Sequence, residues 1–115
     1  MAEYLLLIYE EETRSEHAEP DTFNEMMAGH RAFGEKYHAS IRGGNALQPT
    51  STATSVRRDL SGSLSVTDGA FVETKEALGG YYLVEASDLD AALRMAKDIP
   101  APFGGVEVRP IRVFD

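Results

Sequence analysis

Tyr4-Leu5-Leu6-Leu7-Ile8-Tyr9 is six apolar residues without a polar interruption, and the fold turns on how it is read. Continuously apolar, it predicts a β-strand covered on both faces. In a chain of 115 residues, helices can cover one of those faces. A second copy of the chain is the simplest cover for the other. The flanks agree with an internal strand: Glu3 precedes the run and Glu10-Glu11-Glu12 follows it, the opposite of a secretory leader. No stretch approaches the ~20 apolar residues that span a bilayer. The expected address is the cytoplasm.

The length suits one domain over residues 1–115, since folding at this size hides roughly 65% of the surface and builds a single core. A hydrophobic fraction of 43% with 26% charged residues excludes a disordered chain. Without cysteine there is no disulfide framework and no thiolate metal site, as suits a reducing compartment. The formal charge of -8 repels phosphate backbones and anionic headgroups, so neither nucleic acid nor a membrane is an expected partner.

Working outward, a polar loop leads to Pro20. Thr22 and Glu25 then form a capping-box pattern, and Phe23, Met26, Met27, Phe33, Tyr37 and Ile41 make one helical stripe that ends at Gly43-Gly44. Residues 45–48 read as a short strand, 52–58 and 63–66 as a hairpin across a turn at 59–62, and 67–78 as a loop. Tyr81-Tyr82-Leu83-Val84 is a second buried strand. Ser87 and Asp90 cap a second helix with the stripe Leu89, Ala92, Leu93, Ala96 and Ile99, closed by Pro100. A last strand alternates through Val106 and Val108, meets a bulge or edge at Pro110, and resumes inward at Ile111 and Val113. Two helices on an antiparallel sheet, with crossovers at start and end, give the α+β class and a ferredoxin-like plait.

Val66-Thr67-Asp68-Gly69-Ala70-Phe71-Val72-Glu73-Thr74-Lys75-Glu76 is the most distinctive stretch of the chain. It resembles the signature of the YCII-related proteins, in the branch named for a D-G-P-F motif, with Ala70 in place of its proline and Val72 in place of its alanine. The opening strand, Met26-Met27 with His30, Leu78-Gly79-Gly80-Tyr81-Tyr82 and Val106-Glu107-Val108-Arg109-Pro110 extend the resemblance over nearly the whole chain. It implies a dimeric α/β barrel, a homodimer of two plaits packed sheet to sheet. It also implies a histidine and an aspartate near a cleft. Relatives of this barrel type handle small aromatic or lactone compounds, and the D-G-P-F branch is often encoded beside extracytoplasmic-function sigma factors.

His30 falls on the apolar stripe of the first helix and therefore points inward, where an imidazole can take and return a proton near neutrality. A core histidine bonded to a backbone carbonyl is the plain alternative. Asp68 could orient that imidazole, although Asp-Gly is a turn signal in its own right. Glu73, Thr74 and Lys75 could grip a polar ligand, or simply form a solvated loop. Phe71 would anchor that loop or wall a pocket. Tyr9, Tyr81 and Tyr82 lie on the two most buried strands, where core or dimer packing is the plain role; Tyr81 and Tyr82 face opposite sides of the sheet, and Tyr9 and Tyr82 are the candidates to line a pocket. His17 and His38 are expected at the surface. No histidine–carboxylate spacing suits a metal, and no phosphate loop, dinucleotide fingerprint or nucleophile elbow is present, so neither metal nor cofactor is expected.

Two readings follow, and whether the protein is an enzyme stays open between them. In one, His30 and Asp68 perform cofactor-independent acid/base chemistry on a small organic substrate. In the other, the dimer binds a small ligand or a protein without catalysis, in a regulatory setting associated with sigma factors.

Overall fold

The computed structural model describes residues 1–71 and 74–115. Strand β1 (Ala2–Glu10) is followed by a short helix α1 (Glu12–Glu16), a long helix α2 (Pro20–Lys36) and strand β2 (Ile41–Ala46). A 3-10 turn (Thr50–Thr52) leads into the hairpin of β3 (Thr54–Arg58) and β4 (Leu64–Asp68). Strand β5 (Ala77–Ala86), helix α3 (Leu89–Lys97) and strand β6 (Gly104–Pro110) complete the chain. Four strands form an antiparallel sheet in the order β2-β5-β1-β6, and β3 and β4 pair only with each other. This is an α+β fold compatible with a ferredoxin-like plait.

The apolar run occupies the centre of that sheet, where Leu6 stands opposite Tyr82 on one side and Val108 on the other. Strand alternation then sorts the side chains. Tyr4, Leu6 and Val84 meet Phe33 of α2 and Ala92 and Met95 of α3 in one buried cluster. Leu5, Leu7, Tyr9, Tyr81 and Leu83 take the opposite face, where Leu7 is buried and the others are half-buried. The molecule measures 47 × 46 × 18 Å, and its short dimension is that of one helix layer on one sheet layer. The helices thus cover one face of β1 and leave its other face at the outside of the chain.

The radius of gyration, 16.2 Å, exceeds the roughly 13 Å of a compact chain of this length. Part of the excess is the β3–β4 hairpin, which leaves Val56 and Val66, an opposed pair, on its exposed surface.

Several boundaries differ from the sequence expectation, each for a physical reason. Helix α2 begins at Pro20 with Glu19 at its N-cap and no side-chain cap bond, so the fixed φ of proline at N1 opens it, not Thr22 and Glu25. It stops at Lys36, because Ile41 is claimed by strand pairing opposite Val84. The Gly43-Gly44 pair therefore lies inside β2, which ends at Ala46 and not residue 48. The cap of α3 is Asp88, which accepts the Ala91 amide at 2.9 Å, in place of Ser87. Its buried stripe runs through Ala92, Met95 and Ile99, leaving Leu89 and Leu93 exposed. The expected loop at 67–78 gives Thr67 and Asp68 to β4, and Ala77 and Leu78 to β5. The polar loop before Pro20 contains α1. Ile111 and Val113 are exposed past the end of β6, itself an edge strand.

Candidate functional site

A cleft of about 510 Å³ opens between α2 and the end of the sheet. Helical spacing puts Phe23, Met26, Met27 and His30 along its roof. Ile8 and Glu10 of β1 and Gly79, Gly80 and Tyr82 of β5 form its floor. The segment after α3 closes one side with Pro100 and Phe103. Apolar and aromatic groups dominate the walls, with a few polar groups converging between them, the usual constitution of a small-molecule site.

His30 Nδ1 lies 2.7 Å from Tyr82 Oη, across 52 residues of sequence. The two rings are tilted by 31° with centroids 5.9 Å apart. Behind them, buried Phe33 stacks obliquely on Tyr82 at 4.6 Å and on Tyr37 at 5.1 Å, so the core fixes the tyrosine that fixes the histidine. Burial pushes His30 below its ordinary 6.5 and Tyr82 above its ordinary 10.0. At neutral pH the pair is therefore an uncharged imidazole and an intact phenol. His30 Nε2 has no hydrogen-bond partner among the described residues.

Glu10 is the one carboxylate in the lining among the described residues. It shares the inward parity of Tyr4, Leu6 and Ile8, and it stands opposite Gly104 of β6. Burial, followed by the charge of Glu12, raises its pKa above 4.5. Gly79 makes room for it, since a Cβ there would lie 2.6 Å from Glu10 Oε1.

The sequence model of the YCII-related domain matches residues 2–115, essentially the whole chain. The chain belongs to the YCII-related family. An uncharacterised protein of Rhizobium meliloti (strain 1021) is similar to it at 33% identity over 116 residues, covering 96% of this chain and 93% of that protein.

Of the residues that sequence reasoning singled out, this YCII-related chain brings His30 and Tyr82 together in one cleft, and Tyr9 borders it at the end of β1 although strand alternation turns its side chain to the other face. Asp68 is not among the lining residues: it ends β4, exposed and opposite Thr54. Within one chain the partner of His30 is the Tyr82 hydroxyl, not the Asp68 carboxylate. Phe71 is exposed beneath the Arg57 guanidinium, 4.6 Å from its ring centre, and walls no pocket with His30. Thr74 donates to the Glu76 carbonyl, and Lys75 approaches Glu11 Oε1 at 3.7 Å. Glu73 lies outside the described residues. His17 and His38 are exposed, the former bonding the Thr13 carbonyl at 2.7 Å.

Sequence reasoning missed Glu10, and the signal was available. The same period of two that turns Tyr4, Leu6 and Ile8 inward carries Glu10 inward as well, although Glu10-Glu11-Glu12 looks like a solvated strand end. Among the described residues no group of three or more histidine or carboxylate side chains could hold a metal ion. No helix among them is long and apolar enough to cross a membrane.

Proposed function

We propose that the cleft binds a small, largely apolar organic molecule and that His30, paired with Tyr82, moves a proton on it. The observation that carries this reading is the 2.7 Å contact of His30 Nδ1 with Tyr82 Oη at the edge of a cleft of about 510 Å³. When Nδ1–H donates to Tyr82 Oη, the lone pair of Nε2 is free to accept a proton. The imidazolium that forms keeps Oη as its acceptor on Nδ1. Tyr82 thus takes the orienting part that the sequence suggested for Asp68. Burial keeps the imidazole unprotonated at neutral pH and ready to act as a base. Transfer between His30 and a ligand calls on no cofactor.

The same proposal includes a homodimer. Leu5, Leu7 and Leu83 lie on the sheet face away from both helices, and a second sheet of the same kind is the natural cover for them. A non-catalytic binding dimer in a regulatory setting is the second reading, and it is favoured by the exposed pair Val56 and Val66 on the hairpin.

The test is incubation of a small-compound library with the parent protein and with His30→Gln, following product formation by NMR. Turnover by the parent alone supports proton transfer at His30. Equal turnover by both removes His30 from the chemistry. Binding at the cleft without turnover by either protein leaves the second reading standing.

A further inference from the structure

The charge balance of the cleft narrows the class of molecule it takes, an inference that rests on the binding role proposed above. Among the described residues no lysine or arginine lines it, and the one carboxylate is Glu10. The neighbours of Glu10 in sequence are already engaged. Glu11 accepts from Arg14 at 3.2 Å and faces Lys75 at 3.7 Å, while Glu12 accepts the Thr50 amide at 2.8 Å and the Thr50 hydroxyl. Glu10 has no hydrogen bond or ion pair among the described residues. An anionic ligand would therefore meet Glu10 with nothing in the lining to balance it.

The aromatic walls point the same way. Phe23, Tyr82 and Phe103 are among the lining residues, and aromatic rings attract cations over their faces. The Phe103 ring already holds one, the Arg14 guanidinium 5.5 Å from its centre. Arg14 is bonded to Glu11 and is not itself part of the lining. The Met26 and Met27 side chains add polarisable surface beside the rings. An uncharged His30 does not repel a positive ligand and offers it an acceptor nitrogen. A bare metal ion fits poorly, because Glu10 and His30 are the only strong donors of the usual metal-binding types that the described residues bring to the lining.

We propose that the cleft selects small organic cations, protonated or quaternary amines on an apolar body, with Glu10 as counter-charge and the rings of Phe23, Tyr82 and Phe103 as walls. Gly79 is then a specificity position, because its missing side chain leaves the Glu10 carboxylate its place.

Three matched probes test this: 3-phenylpropylamine, 3-phenylpropan-1-ol and 3-phenylpropanoate, titrated at constant ionic strength while the His30 ring signals are followed by NMR. The amine is expected to bind about tenfold more tightly than the carboxylate, with the alcohol between, from one partly exposed charge pair and one ring contact. Glu10→Gln is expected to erase the advantage of amine over alcohol. Gly79→Ala, whose Cβ would displace the carboxylate, is expected to do the same. A carboxylate that binds as tightly as the amine, or an order unchanged in both variants, overturns the assignment of charge. Should the alcohol alone perturb His30, only this inference falls and the binding cleft stands. Should none of the three perturb His30 up to its solubility limit, the cleft reading falls with it.

Discussion

Removing the Tyr82 hydroxyl while keeping its ring is the sharpest probe of the site. Tyr82→Phe preserves the stacking on Phe33 at 4.6 Å and deletes only the contact of 2.7 Å with His30 Nδ1. With a neutral imidazole that contact is an ordinary hydrogen bond, worth about 1 kcal/mol net, and the open cleft lets water solvate the nitrogen left behind. Unfolding entropy near 2.1 cal/mol/K per residue gives a chain of this length about 0.24 kcal/mol/K, so melting at pH 8 should fall by roughly 4 °C. A protonated imidazole makes a stronger, charge-assisted bond to the same oxygen. The loss should therefore grow to about 2 kcal/mol once the pH has fallen below the folded-state pKa of His30. By linkage, the His30 pKa in the variant should drop further below 6.5. Urea unfolding at a series of pH values, with NMR titration of the histidines, measures both quantities. A His30 that moves back toward 6.5 in Tyr82→Phe would refute the reasoning. It would mean that the hydroxyl donates to the neutral ring and opposes its protonation.

Three further outcomes are expected. The lowered pKa of His30 contributes stability that is present above its unfolded value of 6.5 and is lost as pH falls through the folded value; the urea midpoint of His30→Gln should accordingly fall less steeply than the parent's on the acid side of 6.5, and parallel curves would contradict this. Asp88→Ala removes the acceptor of the Ala91 amide and should cost about 1 kcal/mol by thermal melting, whereas Asp88→Asn should retain most of it. A Cβ at Gly104 would collide with the Tyr9 carbonyl oxygen and lie 2.8 Å from Glu76 Oε2, so Gly104→Ala should cost about 3 kcal/mol, while Gly105→Ala, with open space around it, should stay within about 0.5 kcal/mol.

The two central strands were legible because each is an unbroken apolar run, Tyr4 to Tyr9 bounded by glutamates and Tyr81 to Val84 by Gly79-Gly80 and Glu85. Periodicity also carried His30 and Tyr82 to the same interior, since each sits on the inward phase of its own element. What sequence could not supply was placement across long separations. Asp68 and His30 share no local pattern, and only the completed topology shows β4 in a separate two-stranded sheet with its last residue exposed. The start of α2 was misread because two opening devices compete within three residues, and proline at N1 prevails over the threonine that follows it. The α3 stripe was misread by part of a turn. Met95 takes the core position that Leu93 seemed to claim, and a nine-residue helix is too short for periodicity to separate the two.

The place of β1 in the sheet has a consequence in time. Its partners are Ala77–Ala86 and Gly104–Pro110, so it leaves the ribosome about a hundred residues before the second of them. At roughly 5–20 residues per second, Tyr4 to Tyr9 wait on the order of 5 to 20 s before both of their neighbours have been made. This apolar run is thus made well before the two strands that enclose it, and during that interval it is a natural station for a chaperone.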